Sequence, residues 1–209
     1  MHINSHMISE PLKVMYKSYQ GTLREEGVDE AEDIITGHAI GATVSALAAG
    51  WLPGAGATVA TVANIGFIWS MYYRLNTALG ISLPKNVLKS IASGIAATIS
   101  ANIISLLVVG TVVSFIPGIG SIAASIIAGA CTFSVVLVAA VIYIKMLTKL
   151  FKAKADFGYI TAEEAKEYAR NVSREENVDD MIKEANRIYK QARRDGEFSN
   201  GSNVKPMND

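Results

Sequence analysis

Residues Ser90 to Ile144 read SIASGIAATISANIISLLVVGTVVSFIPGIGSIAASIIAGACTFSVVLVAAVIYI. These 55 residues contain no charged side chain. Pro117-Gly118-Ile119-Gly120 breaks the run in the middle. On each side of the break the apolar segment is long enough to cross a bilayer, which takes about 20 helical residues.

The preceding segment is a weaker copy. Ile34 to Leu52 is apolar, Pro53-Gly54-Ala55-Gly56 interrupts it, and Ala57 to Tyr73 resumes. A shift of 64 residues lays Trp51-Leu52-Pro53-Gly54-Ala55-Gly56 on Phe115-Ile116-Pro117-Gly118-Ile119-Gly120. The same shift lays Ile40 on Ile104, Val44 on Val108, Ala60 on Ala124 and Ser70 on Ser134. Proline disfavours helix at the residue before it, and glycine permits a sharp reversal. The pattern predicts an all-α fold of two tandem apolar helical hairpins, four main helices in all. Pro53, Gly54, Gly56, Pro117, Gly118 and Gly120 are the expected hairpin turns.

Small residues recur every four positions: Gly37, Gly41, Ser45 and Ala49; Ser93, Ala97, Ala101 and Ser105; Ser121, Ser125 and Gly129. A small-residue stripe lets two helix backbones approach closely, in membranes above all. Gly37, Gly41, Ser45, Ala97, Ala101, Ser125 and Gly129 are therefore the expected helix-packing positions. Asn102, a lone amide in an apolar run, is expected to hydrogen-bond to a neighbouring helix. His38 reads as an interfacial or capping side chain, since no second histidine stands near it. Cys131 reads as a small buried apolar residue.

Charge is confined to the flanks. Half of the 209 residues are apolar and 18% are charged, below the roughly 25% of ordinary soluble domains. Residues 1–33 lack an apolar signal-like run and hold seven acids. Leu12, Met15, Tyr16 and Tyr19 mark a short amphipathic helix there. A connector with Arg74, Lys85 and Lys89, punctuated by Gly80 and Pro84, separates the hairpins. Lys145, Lys149, Lys152 and Lys154 follow the last apolar helix. The Pro-Gly turns are uncharged. By the positive-inside rule the connector and both termini face the cytoplasm.

Two amphipathic helices follow. Thr161-Ala162-Glu163-Glu164 has capping-box form, and Asn177 is placed to cap a second helix. In that second helix Val178, Met181, Ile182, Ala185, Ile188, Tyr189 and Ala192 share an apolar face. Such a face needs a cover: the hairpins, a second copy, lipid or another protein. Met181, Ile182, Ala185, Ile188 and Tyr189 are the expected partner-binding residues. The tail from Gly196 reads as disordered. The domains expected are a polar arm over 1–33, an apolar double hairpin over 34–151, a charged helical tail over 152–195 and a disordered end over 196–209.

Catalytic chemistry is missing from the pattern. Neither Gly54-Ala55-Gly56 nor Gly118-Ile119-Gly120 continues as a nucleotide-binding loop. Three histidines and one cysteine leave no metal-ligand spacing. The acid pairs, such as Glu163/Glu164 and Asp179/Asp180, lie in solvated stretches rather than a cleft. Net charge is zero, which gives no sign of a nucleic-acid partner. The chain reads as a non-enzymatic protein without cofactor or metal.

Leu52-Pro53-Gly54, then Ile116-Pro117-Gly118-Ile119-Gly120, then Ala128-Gly129-Ala130 with Thr132, resembles the YcjF-type GTPase-associated membrane domain of bacteria. The resemblance covers roughly residues 35–150. It implies a membrane-associated helical module that works with a GTPase, located at the bacterial inner membrane. Three functions stay open: a membrane scaffold recruiting a cytoplasmic partner such as a GTPase, an oligomeric pore with Asn64 and Asn102 at helix contacts or a lumen, and a soluble helical assembly of several copies. The expected partners are the lipid bilayer, further copies of the chain and a cytoplasmic protein.

Overall fold

The computed structural model describes residues 6–18, 23, 26–49, 56–110, 120–152 and 160–198. Side chains at 49, 56–64, 100–110, 120–125, 127 and 151 lie outside the description. Among the described residues there are seven helices and no strand: α1 (His6–Ser18), α2 (Glu26–Ala49), α3 (Gly56–Leu79), α4 (Lys85–Gly110), α5 (Gly120–Lys152), α6 (Ala162–Glu175) and α7 (Val178–Arg194). The fold is all-α, as the periodicity requires.

Local chemistry sets most of the boundaries. α3 and α5 start at Gly56 and Gly120, the matching last glycines of the two Pro-Gly-x-Gly motifs. α2 starts eight residues before Ile34, because the acidic segment is itself helical. Glu26 and Asp29 sit in its first turn, where carboxylates oppose the helix dipole. Gly27, Ala31 and Ile35 turn inward from the same segment. α3 ends at Gly80, whose φ of 75° supplies the left-handed residue of a Schellman cap. The Ile81 N–H donates to the Asn76 carbonyl at 2.8 Å and the Gly80 N–H to that of Thr77 at 3.3 Å. The connector is thereby reduced to residues 80–84. The capping box at Thr161 and Glu164 forms as expected, and Asn177 caps α7.

α5, about 50 Å long at 1.5 Å per residue, is the axis of the bundle. It packs against every other helix. α2 lies on α3 and α4 lies on α5, yet the most extensive contact is between α2 and α5. One continuous core joins all seven helices. α1 belongs to it through Ile8, Leu12 and Met15, so the segment read as a polar arm is partly interior. The end of the chain read as disordered also contributes. Gly196, with φ of 77°, closes α7, and the Phe198 ring packs on Phe133 and Tyr189.

Buried polar contacts tie α2, α3 and α5 together. The Tyr72 and Tyr143 rings stack 3.9 Å apart. The Tyr72 hydroxyl donates to the Ala139 carbonyl at 2.9 Å, and the Tyr143 hydroxyl to Asn76 Oδ1 at 2.7 Å. His38, wholly buried, donates from Nδ1 to the Ile34 carbonyl at 2.7 Å. That fixes the tautomer, so Nε2 accepts from the Ser70 hydroxyl at 3.2 Å. The ring is thus an interhelical tie rather than a cap. Burial pushes its pKa down to about 4, with the Arg74 charge adding to the fall and the Ile34 bond opposing it.

An unfolded histidine titrates near 6.5, so between pH 6.5 and 4 the unfolded chain holds the extra proton. Stability is full above pH 6.5 and declines as the pH falls. His38 is expected to remove about 2 kcal/mol between pH 7 and pH 5. Denaturant titrations at both pH values measure the loss. His38→Gln should flatten the slope over that window, and an unchanged slope would show that other groups set it.

Candidate functional site

Several Ser and Thr side chains of the apolar helices hydrogen-bond within their own helix. On α5, Ser134 Oγ donates to the Ala130 carbonyl at 2.8 Å and Thr148 Oγ1 to that of Ile144 at 2.8 Å. Thr98 bonds back to Gly94, Thr43 to Ala39 and Ser45 to Gly41 in the same way. A hydroxyl bonded to the carbonyl four residues earlier keeps its partner wherever the helix goes. Such a helix moves between protein and lipid without orphaning a hydroxyl. Among the described residues one helix is long and apolar enough to cross a membrane, over Ala128–Leu150, and 83% of its apolar window is buried inside the chain.

α2 is the main neighbour of α5, and the amphipathic α1 and α7 cover further parts of it. α7 lies along α5, and α6 lies mainly along α4. The polar links from α7 to α5 are few and long. Ser134 Oγ shares its proton with Asn186 Oδ1 at 3.3 Å, and the Tyr189 hydroxyl reaches the Ile126 carbonyl at 3.3 Å. Lys145 pairs with Glu176 and Lys149 with Glu175 where α6 hands over to α7. The Lys149–Glu175 pair is exposed and contributes about 0–1 kcal/mol, while Lys145–Glu176 is half-buried. Val178, Ile182, Ile188 and Tyr189 are buried. Burying one large apolar side chain contributes about 1.5–3 kcal/mol. Apolar burial, not charge, therefore holds the cover in place.

Of the covers open to the apolar face of α7, the structure places the chain's own helices there. Ile182, Ala185, Ile188 and Tyr189 are buried in the chain's own core, and Met181 is half-buried beside it. The face read as partner-binding is filled from within, because α5 offers a longer apolar surface at closer range. The exposed residues of α7 are Asp179, Asp180, Lys183, Arg187, Lys190, Gln191, Arg193 and Arg194. Several of these already pair along the helix: Lys183 with Asp180, and Arg187 with Glu184.

The small-residue stripes fare unevenly. Gly41 is buried and Gly37 half-buried, but Ser45 is exposed. Ala97 is exposed too, because Ile91, Ile95 and Ile99 turn the other side of α4 inward. The close approach on α4 is at Gly94, one residue out of the stripe. A Cβ built there would lie 3.0 Å from the Lys166 carbonyl oxygen of α6. Gly129 is a true contact, where a Cβ would meet Leu47 Cδ2 at 2.9 Å and the Tyr189 hydroxyl at 3.0 Å. Cys131 is half-buried. Pro53, Gly54, Pro117 and Gly118 lie outside the described residues, as do the side chains of Asn64, Ala101, Asn102 and Ser125.

Two features escaped the sequence reading. One is the Tyr72–Tyr143–Asn76 cluster, whose only signal is an amide seven residues after Trp69. The other is a shallow groove of about 310 Å³ at the α3–α4 junction, lined by Tyr73, Asn76, Thr77, Ile81 and Leu83 among others. Fold and site together define an all-α bundle built around one apolar helix, in which Ser134 and Thr148 bond back to the helix itself and the Tyr143 hydroxyl bonds to α3. Comparison of the chain with protein-family models, curated proteins and solved structures finds no match. The YcjF-type resemblance therefore rests on its short motif alone.

Gly129→Leu is expected to cost about 1–3 kcal/mol through overpacking against Leu47 and Tyr189. Ala97→Leu should stay within about 0.5 kcal/mol, as for an exposed site. Chemical denaturation of the two variants tests this. Equal losses would mean that the Ala97 stripe is also a packing seam.

Proposed function

We propose that the chain is a non-enzymatic, membrane-associated helical module whose apolar helices exchange a protein cover for lipid. The observation that carries this reading is α5: uncharged from its start to Ile144, with Ser134 and Thr148 bonded to its own backbone, and covered in part by α7, which apolar burial chiefly holds in place. In water that burial is favourable. In lipid it vanishes as a driving force, because acyl chains are as apolar as the helix surface. Contact with a bilayer thus weakens the grip of α6 and α7 on the apolar helices. The uncharged sequence around the two Pro-Gly-x-Gly motifs enters first, and the basic connector with Lys145–Lys152 stays at the cytoplasmic surface. The bacterial inner membrane is the setting this orientation fits. Released α6 and α7, with their charged faces, form the part available to a cytoplasmic partner such as a GTPase.

The 83% burial of the α5 window favours a second reading, a soluble helical protein whose core helix never leaves the chain. One experiment separates the two. The protein is mixed with liposomes, and the fraction that resists alkaline carbonate is measured. A second sample carries Ser134→Cys and Asn186→Cys in a Cys131→Ala background, joined by a short thiol cross-linker. Carbonate-resistant recovery that is lost on cross-linking supports cover exchange. Wild-type protein that carbonate strips completely supports the soluble reading.

A further inference from the structure

α7 runs antiparallel to α5. Glu175 and Glu176, just before α7, pair with Lys149 and Lys145 near the end of α5. Asn186 meets Ser134 part-way along, and the Tyr189 hydroxyl reaches the Ile126 carbonyl near the start of α5. Arg193 and Arg194 lie four and five residues beyond Tyr189, about 6–7.5 Å further along the helix. That carries them toward Gly120, where α5 begins. α2 ends near the same level, since Leu47 is what a Cβ on Gly129 would meet first. The last turn of α7 therefore stands at the end of the bundle that leads into both Pro-Gly-x-Gly motifs.

The charges of α7 differ between its two halves. In the first half each cation has an acid three residues before it: Lys183 pairs with Asp180 and Arg187 with Glu184. Lys190, Arg193 and Arg194 have no acid three or four residues before them, and all three are exposed. Of the acids that follow, Asp195 accepts from Gln191 Nε2 at 3.0 and 3.1 Å, and Glu197 is half-buried. Basic side chains in a last turn suit the helix dipole, which accounts for Arg193 and Arg194 in part. It leaves Lys190 and the missing acid partners unexplained.

The surroundings of these cations select a partner. From Ile34 to Tyr73 and from Ser90 to Ile144 the sequence holds no Asp, Glu, Lys or Arg. The parts of α2 to α5 that reach this end are thus uncharged. A nucleic acid presents a row of phosphates, and α2 to α5 offer no further cation here to follow it. An anionic bilayer presents phosphate next to hydrocarbon. Long basic side chains reach the phosphate level while the apolar surface beside them enters below it.

We propose that the C-terminal end of α7, through Lys190, Arg193 and Arg194, is a docking surface for the anionic headgroups of a bilayer. The proposal rests on the membrane reading and adds the lipid class and the point of first contact. It also puts that contact on a helix that must leave α5 for insertion to proceed. Docking needs no rearrangement, because the three side chains are exposed with α7 in place. It is thus separable from insertion.

The test is co-flotation with vesicles of phosphatidylcholine alone and of phosphatidylcholine with phosphatidylglycerol, at low and high salt. The expected result is a salt-sensitive preference for the anionic vesicles, retained by the cross-linked protein. Lys190→Gln, Arg193→Gln and Arg194→Gln together should weaken that binding about 100-fold, at about fivefold per basic residue near the surface. Lys17→Gln, Arg174→Gln and Lys183→Gln together remove the same charge elsewhere and should keep it. Circular dichroism confirms that both triple variants fold. Equal binding to both vesicle types, equal loss in both triple variants, or a preference abolished by cross-linking overturns the docking surface while carbonate-resistant insertion stays intact. Full competition by millimolar inorganic phosphate at constant ionic strength overturns it in favour of a soluble phosphate ligand. A duplex oligonucleotide that binds more tightly than the anionic vesicles, and is lost in the first triple variant, overturns it in favour of a nucleic acid. Absence of any vesicle binding overturns the membrane reading itself.

Discussion

Burial of α5 is the constraint on which the other elements depend. A 33-residue helix that is uncharged for its first 25 residues cannot stand in water alone. Its neighbours solve this together. α2, α3 and α4 bring further apolar surface, and α1, α6 and α7 bring one apolar face and one wet face each. The ties within this arrangement differ in kind. α2, α3 and α5 share buried hydrogen bonds through His38, Ser70, Tyr72, Tyr143 and Asn76. α6 and α7 are held by apolar contact, a few long bonds, one half-buried ion pair and one exposed one.

That difference gives the fold a direction of change. Breaking a buried hydrogen bond leaves an orphan group, which costs about 1–3 kcal/mol in any apolar medium. Separating two apolar faces costs free energy only when water replaces the contact. The inner group is therefore tied in water and in lipid alike, while the cover is tied chiefly in water. The hydroxyls within the apolar helices add to this contrast, because their bonds travel with the helix.

Much of the fold was legible in the sequence, and the reasons differ from place to place. Long uncharged runs and the capping residues Thr161 and Asn177 report on local physics, and the all-α class and the starts of α6 and α7 follow from them. The apolar run alone does not mark the start of α2, which lies in the acidic segment because Gly27, Ala31 and Ile35 share one inward face. The α4 stripe was out of register by one residue, since four-residue spacing alone does not say which side of a helix faces inward. Gly94 and Ala97 differ only in their neighbours. The α3–α4 contact was hidden for a related reason. Lys85 and Lys89 meet Tyr73 and Trp69 only after Gly80 turns the chain back, and no local pattern records that pairing.

The proposed cover exchange would make α7 and α5 behave differently at a membrane. Amide hydrogen exchange, followed with and without anionic vesicles, reads both helices in one sample. The expected result is that Val178–Arg194 loses protection on adding vesicles while Phe133–Leu147 keeps it. If α7 retained its protection in vesicles that bind the protein, or if α5 lost its protection together with α7, cover exchange would be contradicted.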